Sequence, residues 1–225
     1  MTRGVALVLA LVLVGCAAAG PPRDPLTADE RNDLGVAYFE RGETRRAASE
    51  FERAVNLRPD WVRALVNLGD ARLALGDGDG AIAAYRRAVR IAPDDPGAAN
   101  NLAWALLQDP ARWREAEAII DGALARRPEP RGYYLDTLGA LRLKQGDNQG
   151  ALDAFRAALA DRLLPAGHVR ALVLEHAGEA HARLGDEASA RRCRALAETE
   201  RVNRGARGAA VGGLIGTVGE PGSVC

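Results

Sequence analysis

Between about residues 28 and 201, apolar and polar positions follow a helical period, broken at regular intervals. In one stretch Leu65, Leu68 and Arg72 fall at i, i+3 and i+7; in the next, Ala81, Tyr85 and Ala88 fall at i, i+4 and i+7. Each series puts its members on one face of a helix. Gly76-Asp77 stands between the two stretches and Pro93 follows the second. Glycine accepts the left-handed backbone that ends a helix, and a nearby aspartate caps the next one. Proline then stops the second helix, because it lacks an N–H and clashes with the preceding turn. The pattern predicts a helix, a tight turn, a second helix and a stop. The turn pair recurs as Gly42-Glu43, Gly146-Asp147 and Gly185-Asp186.

The unit itself repeats. Small residues sit in mid-stretch at Gly35, Gly69, Ala103, Gly139 and Gly178, in steps of 34, 34, 36 and 39. Four further series share the period: Ala47, Ala81, Ala116, Ala151 and Ala190; Phe51, Tyr85, Ile120 and Phe155; Ala54, Ala88, Ala123 and Ala158; Pro59, Pro93 and Pro128. The first unit carries Leu34-Gly35-x₂-Tyr38, Ala47-x₃-Phe51, Ala54 and Pro59. This resembles the tetratricopeptide-repeat (TPR) family, whose pattern is W-x₂-L-G-x₂-Y, A-x₃-F, then A and P. The resemblance implies an all-α fold, a right-handed solenoid of about five helix-turn-helix repeats. The repeats fall at roughly 28–61, 62–95, 96–131, 132–165 and 166–201. The small positions are expected to let the two helices of a repeat approach, with the aromatic filling the gap against the next repeat.

Departures are local. The third unit has Gln108-Asp109-Pro110 in place of Gly-Asp, which predicts a different turn. The fourth has Leu163 where proline is expected, with Pro165 and Gly167 beyond it. The fifth puts Arg194 at the aromatic position and reads as a degenerate, polar C-terminal cap.

The N-terminus is of another kind. Arg3 precedes an apolar run from Gly4 to Val14, which ends in Leu13-Val14-Gly15-Cys16. Eleven apolar residues fall short of the roughly 20 that a spanning helix needs. The run resembles the signal and lipobox of bacterial lipoproteins. That implies a signal peptide at 1–15, a lipid on Cys16, and a flexible tether over 16–27. Ala17 rather than Asp after the cysteine implies the outer membrane, with the body facing the periplasm. Residues 202–225 are glycine-rich and read as a disordered tail, the alternative being that Val211, Leu214 and Ile215 dock on the last helix or on a partner.

Composition narrows the function. Thirty basic residues balance thirty acidic ones, so no global field draws the chain to nucleic acid. The histidines are His168, His176 and His181, and the last two lie five apart, far round a helix from each other. No catalytic constellation, metal site or cofactor is expected, nor a small-molecule substrate. Cys193 and Cys225 either pair in an oxidising compartment or stay as free thiols.

What remains is the concave face that the resemblance implies, lined by the first helix of each repeat. It assigns Asn32, Asn67, Asp70, Asn101, Trp104 and Asp136 as candidates for holding a protein or peptide, together with Val36, Phe39, Leu73 and His176. An asparagine amide donates and accepts together, which suits a peptide backbone. Gly97 and Asn101 stand where the clamp for C-terminal carboxylates found in some family members needs basic residues. The expectation is a membrane-tethered scaffold for assembling a secretion, pilus or exopolysaccharide export complex. The alternative is an accessory regulator of a cell-wall or polymer-processing enzyme.

Overall fold

The turn pairs Gly42-Glu43, Gly76-Asp77, Gly146-Asp147 and Gly185-Asp186 each end one helix and start another. In a computed structural model describing residues 26–126, 129–207 and 225, the described residues form ten α-helices and no strand. They run α1 Ala28–Glu40, α2 Thr44–Leu57, α3 Val62–Ala74, α4 Gly78–Ile91, α5 Pro96–Leu106, α6 Trp113–Ala125, α7 Gly132–Gln145, α8 Asn148–Ala160, α9 His168–Arg183 and α10 Glu187–Arg207. Gly42, Gly76, Gly146 and Gly185 have φ between 75° and 85°, the left-handed region that a Cβ penalises. The carboxylates of Asp77, Asp147 and Asp186 accept from the N–H groups of Gly80, Gly150 and Ser189 at 2.9, 2.9 and 3.0 Å. Thr27 and Glu30 close a reciprocal cap on α1.

The irregular junctions find other solutions. Between α5 and α6 a 3₁₀ turn, Pro110–Arg112, is capped by Asp109, and the Trp113 indole N–H donates to the Leu107 carbonyl at 3.0 Å. After α8 the missing proline is replaced by Asp161. Its carboxylate accepts from the N–H groups of Gly132 at 2.7 Å and Leu163 at 2.9 Å. Leu164 is then buried against Gly132.

Packing within a repeat differs from the sequence expectation in one respect. The aromatic ring lies against the small residue of its own repeat. A Cβ on Gly35 would stand 2.6 Å from the Phe51 ring, and the approach is closer still for Gly69 to Tyr85 and Gly139 to Phe155. The glycine is therefore the seat of a ring, which is bulkier than the alanine contact expected there. In the fifth repeat a Cβ on Gly178 would instead meet the Ala190 carbonyl and the Cys193 Cβ, both at 3.3 Å, with Arg194 Cγ at 3.7 Å. With no ring at this place, the buried Cys193 takes it.

The two layers of the stack crowd differently. Each first helix touches the next first helix: α1 with α3, α3 with α5, α5 with α7, α7 with α9. The second helices α2, α4, α6, α8 and α10 make no comparable contact with one another among the described residues. The layer that crowds is the inner one, so the first helices line the concave face.

At the C-terminal end α10 continues to Arg207, past the boundary at 201. Cys225 is buried and disulfide-bonded to Cys193, with Cα atoms 4.8 Å apart, which settles the alternative left open by the sequence. The Arg192 guanidinium donates to the Cys225 carbonyl and, at 2.6 Å, to Ser189 Oγ. The signal segment, Cys16 and most of the tether lie outside the described residues, as do Pro128 and residues 208–224. No described helix is long and apolar enough to cross a membrane.

Candidate functional site: the inner face

On the inner face the polar candidates meet each other. The Asn67 amide donates to Asn32 Oδ1 at 2.8 Å, from α3 to α1. Asn101 donates to Asp70 Oδ1 at 3.0 Å, from α5 to α3. The Thr137 hydroxyl donates to Asn100 Oδ1 at 2.9 Å, from α7 to α5. His176 Nδ1 and Asp136 Oδ1 share a hydrogen bond of 2.8 Å between α9 and α7. Four rungs thus run the length of the inner face, each joining one repeat to the next.

The rungs are well protected. Asn32 is 2 % exposed and Asp136 8 %, so neither presents a free side chain to a visiting peptide. Asp70 also accepts from the Tyr85 hydroxyl at 2.6 Å. Burial raises the Asp70 pKa above its ordinary value, while the bonds from Tyr85 and Asn101 pull it back. Burial, then the Asp70 carboxylate, drives the Tyr85 hydroxyl upward, which keeps it a proton donor. Burial opposes the charged form of His176. The hydrogen bond from Asp136 and the charges of Asp136, Glu179 and Glu175 outweigh it, and the imidazole pKa lies above 6.5.

Trp104 extends these contacts. Its ring stacks on His176 at 6.1 Å between centroids and 29° between planes, reaching from α5 to α9 over α7. Phe155 lies 5.7 Å from the same imidazole. His181 is turned away, with Nδ1 3.4 Å from Asp186. Among the described residues no three His, Cys, Asp or Glu side chains gather as a metal site.

The structure therefore brings together Asn32, Asn67, Asp70, Asn101, Trp104 and Asp136 on one face, mostly as ties between repeats. The rungs escaped the sequence reading, although each joins positions 31 to 40 residues apart, close to the repeat length. A buried ion pair also escaped it. Arg31 bonds Glu50 at 2.6 Å where the second repeat has Leu65 and Ala84, and the charged pair at two apolar positions was the available signal. The apolar inner-face side chains Val36, Leu73 and Phe39 are only partly covered, Phe39 being 38 % exposed.

Comparison with known proteins agrees with this geometry. Family models described as tetratricopeptide repeat match residues 32–96 and 72–138. A 57-residue stretch, 25 % of the chain, is 39 % identical to the Hsp70-Hsp90 organizing protein of Triticum aestivum, and covers a tenth of that protein. The Cut9 and Hcn1 hetero-tetramer of APC/C contains a similar fold, with TM-score 0.68 and 20 % identity over 79 % of this chain and 34 % of that one. PilW, a type IV pilus biogenesis factor, matches with TM-score 0.66 and 22 % identity over 76 % of this chain and 78 % of its own. PilF of Pseudomonas aeruginosa matches with TM-score 0.63 and 20 % identity, covering 77 % and 76 %.

Proposed function

We propose that this chain, a tetratricopeptide-repeat protein, is a protein-interaction scaffold that holds a partner on its inner face and is tethered to a bacterial envelope membrane through lipid on Cys16. The observation that carries the reading is the run of rungs. They fix each repeat against the next and give a preformed concave surface, which lowers the ordering cost of binding. Val36, Leu73 and Phe39 offer apolar contact on that surface.

The Cys193–Cys225 disulfide supports an oxidising compartment such as the periplasm. The likeness to two pilus proteins supports a place in a pilus, secretion or export assembly. Catalysis is not part of this reading.

Photocrosslinking groups at Leu73 and Trp104, with controls at Arg87 and Asp121 on second helices, test the scaffold. Adducts in native envelopes from the inner positions alone are expected. Adducts from the outer positions alone, or from none, would sink the idea. For the tether, Cys16→Ala is expected to abolish fatty-acid labelling and membrane retention; an unchanged distribution counts against it.

A further inference from the structure

The rungs obey one rule of register. In repeats two to five, the residue two places before the small position reaches back to the preceding repeat: Asn67, Asn101, Thr137 and His176. In the first repeat that place is Asp33, and no described helix precedes α1. Asp33 is exposed and has no hydrogen bond or ion pair among the described residues. It is a rung without a partner, and its end is an acceptor.

The other end is closed. Glu175 pairs with Arg201 of α10, and Glu179 with Arg183 at 2.6 Å. Trp104 and His176 stack across the groove just before it. An open depression of about 570 Å³ there is lined by Glu175, Glu179, Ala182, Arg183 and Arg194. Its two carboxylates already have cations.

On α1, by contrast, two carboxylates have no cation among the described residues. Asp33, Val36 and Glu40 fall at i, i+3 and i+7, one stripe of α1. Glu40 is exposed and unpaired among the described residues, unlike Asp29, which Arg58 engages at 2.5 Å. The two free carboxylates lie about 10 Å apart along the helix axis. Between and beside them are the partly covered Val36, Phe39 and Leu73. Arg63, an exposed cation of α3, stands one turn before the level of Asp33 in the repeat register.

We propose that the inner face of α1 and α3 docks a partner segment bearing two basic side chains about two helical turns apart, with an apolar residue between them. One cation completes the open rung at Asp33 and the other meets Glu40. The apolar residue lies on Val36, Phe39 and Leu73. An arginine suits either carboxylate because its fork donates two bonds at once. This rests on the scaffold reading above and gives it a location and a partner chemistry.

The test uses the purified full chain and two labelled, alanine-rich helical peptides in fluorescence anisotropy at low salt. One peptide has Arg at i and i+7 with Leu at i+3 and i+4; the other has Glu in place of each Arg. The wild type is expected to bind the Arg peptide at least about tenfold tighter than the Glu peptide. Asp33→Lys with Glu40→Lys should erase or invert that preference, and Phe39→Ala should weaken the Arg peptide several-fold. Asp121→Lys on α6 should change nothing. Circular dichroism checks that each variant is folded. A wild type that binds neither peptide, or both alike, overturns the proposal, as does a preference that survives in the double variant or a lone loss in Asp121→Lys. If the double charge reversal leaves the Leu73 and Trp104 crosslinks in native envelopes intact, this docking site falls while the scaffold reading stands.

Discussion

A single glycine decides whether a repeat of this chain can close. Gly69 seats the buried Tyr85 ring, and any Cβ there collides with ring atoms that are themselves fixed by the bond to Asp70. Gly69→Leu is expected to cost about 1–3 kcal/mol by overpacking, read as a lower denaturation midpoint. His176 makes a prediction of pH. Its pKa is raised in the folded state, so its contribution to stability is complete below 6.5 and is lost as pH rises through the folded value. Stability of the wild type should therefore fall as pH climbs above 6.5; a His176→Gln variant should show a shallower slope in denaturant titrations over the same range. The sequence showed the glycines and the inner-face asparagines but not what they touch. Asn67 and Asn32 are 35 residues apart, and whether their side chains meet depends on the stagger between repeats. Composition and period say nothing about that stagger.

At the scale of helices and turns, the sequence was far more legible. A Gly-Asp pair states its geometry locally, since the left-handed residue and the capping carboxylate need no distant partner. Removing the cap in Asp77→Ala should cost about 0.5–2 kcal/mol, measurable as a melting shift, while Asp121→Ala on α6 should be near neutral. The turn between α5 and α6 was legible only as a departure, because Asp109, Pro110 and the Trp113 indole together make the 3₁₀ turn. The junction after α8 was harder. Asp161 does the work of a proline by bonding the Gly132 N–H, a residue 29 places earlier. The length of α10 was underestimated, since its Arg and Glu side chains carry little apolar period. Two of them turn back onto α9 and its N-terminal side, Arg201 to Glu175 and Glu200 to the Gly167 N–H at 2.9 Å.

For the whole molecule, each repeat is stabilised chiefly by its neighbours, so stability adds along the stack and its ends open first. Asn67→Ala removes the donor from a nearly buried Asn32 oxygen, a loss of about 1–3 kcal/mol if nothing replaces it. Hydrogen exchange is expected to quicken in α1 and α2 and to stay unchanged in α7 to α10; uniform quickening would mean that the stack opens as one unit. The opposite end is held by sulfur. Because Cys225 is bonded to Cys193 in the second turn of α10, the backbone from Arg207 onward is one arc of a covalent ring. A protease that cuts this arc once severs the chain without releasing anything. On a gel, the nicked protein would keep both pieces in one band until a thiol is added, so a cut within this arc would pass for an intact chain in any unreduced sample.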